Sequence, residues 1–220
     1  MVALHRHQLV RLRQEAWGRL QQEAVESETQ AALQCWREGG FPLVVCRQPC
    51  RAPEDGAVAV GLAAPLAWQR RRWLFSVRRD EVLYFDEFPP AVEIAALLSR
   101  RARPGWTALC DDLRRLGLRV RVYGSHGWQR LTGLPYLRAG SDLDLCLPVQ
   151  DAEQADQVVQ CLSAAPFALP RLDGELLFPD GGGVAWREWQ AWRNGCVREV
   201  LVKRLHGVEL TAQPLCEAMA

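Results

Sequence analysis

The pattern of apolar and polar positions divides the first half of the chain into a helical region followed by short strands. Residues 9–38 carry apolar side chains at helical spacings with few helix breakers, which predicts one or two helices. Turn-forming residues, including those at 53–56, then separate the runs "PLVVCRQ", "GAVAVGLA", "RRWLFSV" and "EVLYF", which predict strands. A further helix is predicted from the prolines of "FPPAVEIAALLSRRARPGW" to a stop near Pro104.

Helical and strand patterns alternate in the second half. "TALCDDLRRLGL" predicts a helix closed by Gly117, and the β-branched run "RVRVYGS" predicts a strand. "SDLDLCLPV" predicts the next strand and "DAEQADQVVQCLSAA" the next helix. "LPRLDGELLFPDGGGVAWREW" predicts a hairpin that turns at 180–183, and "VREVLVKRLHGVELT" a last strand pair. We therefore predict an α+β protein with a small mixed N-terminal domain (1–103) and a C-terminal α/β domain with a mixed sheet (104–220).

Composition and charge narrow the classes of partner. With 220 residues, 49% of them hydrophobic, the chain is long and apolar enough to build a sizeable core. Its 27 basic and 26 acidic residues give a net charge of +1, so we expect no nucleic acid and no membrane among its partners. Gly61 and Pro65 interrupt the longest apolar stretch, and the N-terminus lacks a signal-peptide pattern, so we expect a cytoplasmic protein.

The cysteines do not form a recognisable framework. Eight are scattered through apolar segments, which predicts buried free thiols rather than disulfides. Cys46 and Cys50 are the closest pair, but no second pair of Cys or His lies at zinc-site spacing. We therefore predict no structural metal site.

Two aspartates stand inside the apolar run "SDLDLCLPV". Because side chains alternate between the faces of a strand, Asp142 and Asp144 point the same way, with Cα atoms about 7 Å apart. Two carboxylates on one wall repel each other and resist burial, so a divalent cation is their natural partner. Mg²⁺ prefers one or two carboxylates together with water and phosphate oxygens, which predicts a substrate that carries phosphate. The alternative is a turn or a salt bridge to an arginine.

Gly124 and Ser125 lie at the end of the preceding predicted strand. A glycine lets the backbone approach a ligand, and the neighbouring N–H groups and the serine hydroxyl can hold phosphate oxygens. A Gly-Ser pair alone is a weak signal, but one followed by Asp-x-Asp in the next strand is far more specific. The intervening "LTGLPYLRAG" is either a substrate-facing loop or a structural connection.

This arrangement resembles the nucleotidyltransferase superfamily. In that superfamily a third carboxylate from a later strand completes a two-metal site for in-line attack on an α-phosphate. We expect the third carboxylate from the hairpin, where Asp173 is preferred, Glu175 follows closely and Glu209 is the third choice. Arg171, Asp173 and Glu175 share one face if the segment is extended. The alternative for Asp173 is an ordinary turn acid before Gly174.

Longer segments resemble one family more closely. "YGSHGWQRLTGLPYLRAGSDLDL", "RLDGELLFPDGGGVAWREW" and "VLVK" are similar to the C-terminal domain of malonate decarboxylase holo-acyl-carrier-protein synthase, the phosphoribosyl-dephospho-CoA transferase MdcG. "RHQL", "PLVVCRQP", "DGAVAVGLAAP" and "RRRWLFSV" resemble the N-terminal domain of that family. The resemblance covers most of the chain and implies a nucleotidyltransferase-like catalytic domain in the second half.

The resemblance also implies a reaction and its partners. The phosphoribosyl-dephospho-CoA group would pass from triphosphoribosyl-dephospho-CoA to a serine of the apo acyl-carrier subunit of malonate decarboxylase, and pyrophosphate would leave. The implied catalytic residues are Asp142, Asp144, Asp173 and Glu175, and Asp142, Asp144 and Asp173 would hold Mg²⁺ or Mn²⁺. The implied phosphate and substrate contacts are Gly124, Ser125, Lys203, which matches "VLVK", and His126, which lies beside the Gly-Ser turn.

Several aromatic and basic residues admit two interpretations. Trp128 and Tyr136 either stack on adenine or belong to the core. A group of arginines in the first half either docks an acidic carrier protein or forms a solvated basic face. The group consists of Arg70, Arg71, Arg72, Arg78 and Arg79.

Two other functions stay open. A transferase of the same fold could use ATP and adenylylate a small molecule or a protein. A degenerate domain could bind the carrier or a nucleotide without catalysis, although paired carboxylates have no purpose in such a module. The acceptor itself, a malonate-type or a citrate-lyase-type carrier, does not follow from the fold.

Overall fold

The first sheet belongs to the N-terminal half. The computed structural model describes residues 3–50, 56–165 and 170–212, so the predicted turn at 53–56 lies almost wholly outside the described residues. Within them, five antiparallel strands form this sheet in the order β4-β3-β2-β1-β5. The strands are β1 (Leu9–Leu12), β2 (Leu43–Val45), β3 (Val58–Ala63), β4 (Arg72–Val77) and β5 (Val82–Asp86).

Two helices follow β1 and bury their apolar stripes in the first core. They are α1 (Gln14–Glu23) and α2 (Ser27–Gly39), which bury Trp17 and Trp36 respectively. The prediction of helix from residue 9 is wrong for Leu9–Leu12, which forms a strand between β2 and β5. Pairing on both edges satisfies its backbone, so tertiary context overrides the helical spacing of its leucines.

The second sheet belongs to the C-terminal half. Its described strands lie in the order β11-β10-β9-β8-β7-β6, and β7 and β8 run parallel while the other neighbours are antiparallel. An α+β protein with N- and C-terminal domains is thus confirmed, and the second sheet is mixed. The strands are β6 (Arg121–Val122), β7 (Leu143–Pro148), β8 (Leu172–Leu177), β9 (Gly183–Ala185), β10 (Val200–Lys203) and β11 (Val208–Thr211).

Four helices accompany this sheet: α3 (Arg103–Arg115), α4 (Gly124–Thr132), α5 (Ala152–Ser163) and α6 (Trp186–Arg193). Three predicted boundaries in this half are wrong. Pro104 does not stop a helix but lies in the first turn of α3, where its missing N–H is tolerated; the helix predicted before it is a short 3₁₀ segment, Ala91–Leu97. The strand predicted in "RVRVYGS" ends at Val122, and "WREW" begins α6 instead of continuing the hairpin.

Two apolar cores meet between the halves. Leu143 and Leu145 face a core shared with α3, α5 and α6. The first core, however, also takes Trp128 and Tyr136 from the second half of the chain. The opposite face of β7 therefore turns toward the N-terminal half. Asp144, which lies on this face, is located between the two halves.

Two further findings concern the cysteines and membranes. The described cysteines are free thiols, but Cys50 and Cys196 are exposed, so the prediction of burial is wrong for them. Within the described ranges, no helix combines the length and apolar character needed to cross a lipid bilayer.

Candidate active site

A cavity of about 490 Å³ lies between the two halves of the protein. The N-terminal half lines it with β3, the start of β4 and the turn that carries Arg70. The C-terminal half contributes Gly124, Ser125, Asp142 and Asp144. The structure thus brings the predicted phosphate turn and the predicted carboxylate pair together in one space. Arg138 and Ser141 of the connection between α4 and β7 also line the cavity, as expected of a substrate-facing loop.

Gly124 sits where backbone and carboxylate nearly touch. Its φ of +61° is in the left-handed region, and it follows the extended residue Tyr123 at the start of α4. A Cβ at this position would lie 1.8 Å from Oδ2 of Asp144. A glycine is therefore required by both conformation and space. Ser125 comes next, at the same helix end, where free backbone N–H groups favour an anion.

Asp144 is a partly buried carboxylate among other acids. Burial, and then the nearby charges of Asp173 and Asp142, raise the pKa of Asp144 to about 6. Within the described part of the chain, no basic side chain forms an ion pair with it. A cationic partner would relieve this repulsion, which is the property expected of a metal ligand.

Asp142, which precedes β7, is held by an arginine. Nε of Arg171 donates to Oδ1 at 2.9 Å, and Nη2 donates to Oδ2 at 2.5 Å. These hydrogen bonds hold the pKa of Asp142 below its ordinary value. The salt-bridge alternative therefore describes Asp142 in this structure. For Asp142 to bind a cation, Arg171 would have to move.

The two hairpin acids occupy different environments. Parallel pairing places Asp173 directly beside Asp144, and its side chain is 39% exposed. Glu175 lies on the same face two residues further along, but it is 4% exposed and does not line the cavity. Glu209 lies on β11, at the far edge of the sheet, and pairs with Arg204. The geometry therefore favours Asp173 as the third carboxylate and removes Glu175 and Glu209.

Glu175 anchors a buried ionic network. Its carboxylate accepts hydrogen bonds from Nη2 of Arg6 at 2.8 and 2.9 Å, from Nζ of Lys203 at 2.8 Å and from Nε2 of His7 at 2.9 Å. Burial acts to raise the pKa of Glu175, but these hydrogen bonds and charges outweigh it and hold the pKa below its ordinary value. Lys203 does not line the cavity, and its ammonium is bound to Glu175, so the predicted phosphate contact would require Lys203 to leave this carboxylate.

His126 is turned away from the cavity. Its side chain is buried, and Nδ1 donates to the backbone oxygen of Asp142 at 2.9 Å. Burial lowers the pKa of His126, so the imidazole stays neutral. It therefore positions Asp142 relative to α4, and the predicted contact with the donor does not fit its location.

The aromatic pair belongs to the core. Trp128 and Tyr136 are 5% and 3% exposed, and their rings stack on each other with centroids 6.2 Å apart. Phe88 packs edge-on against Trp128, and the hydroxyl of Tyr136 donates to the backbone oxygen of Ala63 at 2.7 Å. Both rings are buried in the core, as the core interpretation expects, but both also form part of the cavity wall, so stacking on adenine stays a prediction.

The arginines grouped in the sequence do not form one patch. Arg71 pairs with Glu28 and Arg78 with Asp80, and these two arginines flank opposite ends of β4. Six strand residues separate them, or about 20 Å. Arg70 and Arg72 instead line the cavity, and Nη2 of Arg70 donates to Oγ of Ser125 at 3.3 Å. Arg70 is exposed but lines the cavity, a location that the sequence did not indicate, and nothing in the sequence singled out Arg6, His7 or Arg138.

The donor set suits a cation only together with substrate. Among the described residues, no group of three or more His, Cys, Asp or Glu side chains is arranged to hold a metal ion. Asp144 and Asp173 provide two neighbouring carboxylates on adjacent strands. Mg²⁺ and Mn²⁺ accept such oxygen ligands, and Mg²⁺ in particular completes its shell with water and phosphate oxygens. The residues present thus fit a shared protein–substrate site rather than a closed protein cage.

Family models match both halves of the chain. The model of the phosphoribosyl-dephospho-CoA transferase MdcG N-terminal domain matches residues 5–88. The model of the MdcG C-terminal domain matches residues 91–214. The first of these regions holds the cavity wall with Arg70, and the second holds Gly124, Ser125 and the aspartates.

Curated relatives carry one description. The chain is 36% identical over 210 residues to a phosphoribosyl-dephospho-CoA transferase of Xanthomonas campestris pv. campestris (strain 8004). The aligned region covers 93% of this chain and 92% of the relative. It is 32% identical to one of Bradyrhizobium diazoefficiens, over 93% of this chain and 88% of the relative. It is 34% identical to one of Pseudomonas putida, over 80% of each. No solved structure matches the chain.

Proposed function

The chain belongs to the MdcG family of phosphoribosyl-dephospho-CoA transferases, and from this premise we propose its reaction. It transfers the phosphoribosyl-dephospho-CoA group from 2'-(5-triphosphoribosyl)-3'-dephospho-CoA to a serine of the apo acyl-carrier subunit of malonate decarboxylase. The observation that carries the proposal is the junction of Gly124, Ser125 and Asp144 in one cavity, with Asp173 beside Asp144. These residues combine anion-binding and cation-binding groups next to each other.

The chemistry is one displacement at phosphorus. The serine oxygen of the carrier forms a bond to the α-phosphorus of the donor, and the bond from that phosphorus to the bridging oxygen of the β-phosphate breaks. Pyrophosphate leaves with the electron pair, the serine proton passes to solvent, and a phosphodiester joins the carrier to the prosthetic group. Such transfers depend on positioning and on stabilisation of charge, with little covalent work for the protein.

The residues of this chain divide the work by location. Ser125 and the backbone N–H groups of the Gly124 turn bind phosphate oxygens. Asp144 and Asp173 would hold Mg²⁺ or Mn²⁺, and Asp142 would join them if released from Arg171. When bound, the ion supplies positive charge to the phosphate oxygens and lowers the pKa of the attacking hydroxyl. The cavity is open to solvent at Arg70, Arg72 and Arg138, so the serine proton can leave from this site.

The cavity suits the non-reacting parts of the donor. Its volume of about 490 Å³ falls in the range of small-molecule sites, and Leu62 and Trp73 give it apolar wall on the N-terminal side. Binding of the remote parts of a substrate can be used to orient its reacting phosphate. The N-terminal half therefore contributes to donor binding.

The intact mass of the carrier tests the proposal. Apo acyl-carrier subunit is incubated with the protein, Mg²⁺ and triphosphoribosyl-dephospho-CoA, with Asp144→Asn in parallel. We expect a mass gain equal to the phosphoribosyl-dephospho-CoA group, which is lost in the variant and when Mg²⁺ is removed by a chelator. A mass gain with ATP in place of this donor, or modification of a citrate-lyase-type carrier only, would replace the proposed substrates. Metal-independent binding without any mass gain would reduce the protein to a carrier-binding module.

A further inference from the structure

We propose that Arg70, supplied by the N-terminal domain, binds the two terminal phosphates of the donor and stabilises the departing pyrophosphate. This inference rests on the proposed function and adds a substrate contact that lies outside the nucleotidyltransferase-like domain. It begins from one contact: Nη2 of Arg70 donates to Oγ of Ser125 at 3.3 Å, across the cavity between the domains. The guanidinium is thus already at the predicted phosphate turn.

The charge of Arg70 has no carboxylate partner among the described residues. Its neighbour Arg71 pairs with Glu28, whereas the side chain of Arg70, although also exposed, lines the cavity and donates a hydrogen bond to Ser125. A guanidinium is charged at all physiological pH values, and its planar set of donors matches phosphate oxygens. An unpaired arginine beside a serine hydroxyl is therefore a site for an anion.

The backbone is shaped to deliver this side chain. Gln69 and Arg70 have φ values of +51° and +59°, in the left-handed region that residues other than glycine rarely adopt. The turn is fixed at its base, because Leu66 donates its N–H to the backbone oxygen of Pro135 at 2.9 Å, and Arg70 to that of Pro65 at 3.2 Å. The first of these bonds ties the turn to the C-terminal half. The position of Arg70 over Ser125 is therefore set by both domains.

Electrostatics select the part of the donor that Arg70 contacts. Asp142 and Asp144 line the same cavity, and their negative charges repel a phosphate unless a cation lies between them. The terminal phosphates carry most of the negative charge of a triphosphate, and charge builds up on them as the bond to the α-phosphorus breaks. A fixed positive group at the turn stabilises that charge without waiting for solvent to reorganise. Arg70 meets this need from the N-terminal wall of the cavity, at the Ser125 turn.

A pair of adjacent variants tests the inference. Arg70→Asn removes the charge but keeps a residue that tolerates the left-handed conformation, so the turn is retained. Arg71→Asn removes an equal charge one residue away, outside the cavity. Thermal melting confirms that both variants fold. For each protein, titration calorimetry with inorganic pyrophosphate and Mg²⁺ gives the Kd, and the mass assay of carrier modification gives kcat and KM for the donor.

We expect Arg70→Asn to weaken pyrophosphate binding at least tenfold and to lower kcat by about 100-fold, while Arg71→Asn matches the wild type. Wild-type levels of pyrophosphate binding and kcat in Arg70→Asn would overturn the inference and leave the transfer reaction intact. If the wild type binds pyrophosphate through Arg70 but modifies no carrier, the contact stands and the proposed acceptor or donor is wrong. Equal losses in both variants would show a general charge effect and overturn the assignment to Arg70.

Discussion

The pKa of Asp144 links the chemistry of the site to the stability of the protein. Burial and the neighbouring Asp173 and Asp142 raise it to about 6, above the value of about 4 in an unfolded chain. The folded state therefore binds the proton more tightly than the unfolded state. The stability that this carboxyl contributes is complete below about pH 4 and is lost as the pH rises through 6. At neutral pH, without a cation, Asp144 destabilises the fold.

Replacing Asp144 by Asn is expected to stabilise the metal-free protein at pH 8 by roughly 3 kcal/mol, because the amide does not ionise. At pH 4 the difference should nearly vanish. Urea denaturation at the two pH values measures it. Added Mg²⁺ should raise the stability of the wild type and leave Asp144→Asn unchanged. A variant less stable than the wild type at pH 8 would contradict the origin given for the shift.

The Glu175 carboxylate stabilises the fold, whereas that of Asp144 is placed to bind a cation. Its buried carboxylate is bonded by Arg6, His7 and Lys203, so Glu175→Gln leaves two permanent charges without their counter-charge. We expect the free energy of unfolding to fall by about 3–5 kcal/mol. Because the pKa of Glu175 is lowered on folding, its contribution is present above about pH 4 and is lost as the pH falls further.

Denaturation of Glu175→Gln beside Glu209→Gln checks this expectation. Glu209 is an exposed acid that pairs with Arg204 at the sheet edge, where an ion pair contributes at most about 1 kcal/mol. Equal, small losses in the two variants would show that the buried network adds no stability. A normal transfer rate in whatever fraction of Glu175→Gln stays folded would agree with a structural role.

At the scale of elements, α4 starts where the phosphate turn meets β7. Two glycines with positive φ flank this helix: Gly124 at its start, against Asp144, and Gly133 after its end, with open space around it. Gly133→Ala should cost about 1 kcal/mol from backbone strain alone. Gly124→Ala should cost more and should abolish transfer, because the methyl group displaces the Asp144 carboxylate.

Thermal melting and the carrier-modification assay distinguish the two glycine variants. Comparable activity in Gly124→Ala and Gly133→Ala would mean that the close approach of backbone and carboxylate is not needed. Loss of activity in Gly124→Ala with only a small change in Tm would show that the turn acts on the chemistry rather than on folding.

The elements that the sequence predicts well are those whose signal is local. Periodicity predicts α2 and α5, and Gly40 marks the end of α2. The turn before Val208 predicts the last strand pair. The order of the strands, by contrast, depends on contacts between distant segments. The helix prediction for Leu9–Leu12 is wrong because the strand conformation of this segment depends on its pairing with β2 and β5. The prediction that a helix ends near Pro104 is wrong because proline is also common in the first turn of a helix, where Pro104 lies.

The residues of the candidate site also differ in how local their sequence signal is. Gly124, Ser125 and the aspartate pair belong to one continuous segment, so their motif is visible along the chain. Strand alternation could not distinguish Glu175 from Asp173, because both lie on one face. What separates them is the burial of Glu175 against Arg6, His7 and Lys203, and the first two come from 168 or more residues away. Arg70 was hidden for the same reason, because its partner Ser125 is 55 residues distant.

At the scale of the whole molecule, the two domains share a core. Trp128 of α4 packs with Phe88 and Tyr136 in the core of the N-terminal half, and the hydroxyl of Tyr136 bonds to Ala63. Neither half can lose this contact and keep its apolar surface covered. We therefore expect the full chain to melt in one cooperative transition.

Calorimetry of the wild type and of Trp128→Ala measures this coupling. The variant should lose about 3–5 kcal/mol of stability and should still melt in one transition at a lower temperature. Leu210→Ala, at a position 63% exposed, is the control and should melt like the wild type. Two separate transitions in the wild type would show that the domains fold independently.

The ionic network at Glu175 can form only late in translation of the chain. Arg6 and His7 leave the ribosome early, but their partner Glu175 is added 169 and 168 residues later, and Lys203 later still. At ordinary rates of translation this interval is roughly 10 to 30 seconds. The cavity wall includes His7 of this network and extends to Asp144, and Asp173 comes later still, so a nascent chain holds no finished site until β8 has emerged. A product truncated before residue 175 would leave Arg6 and His7 without the carboxylate that holds them.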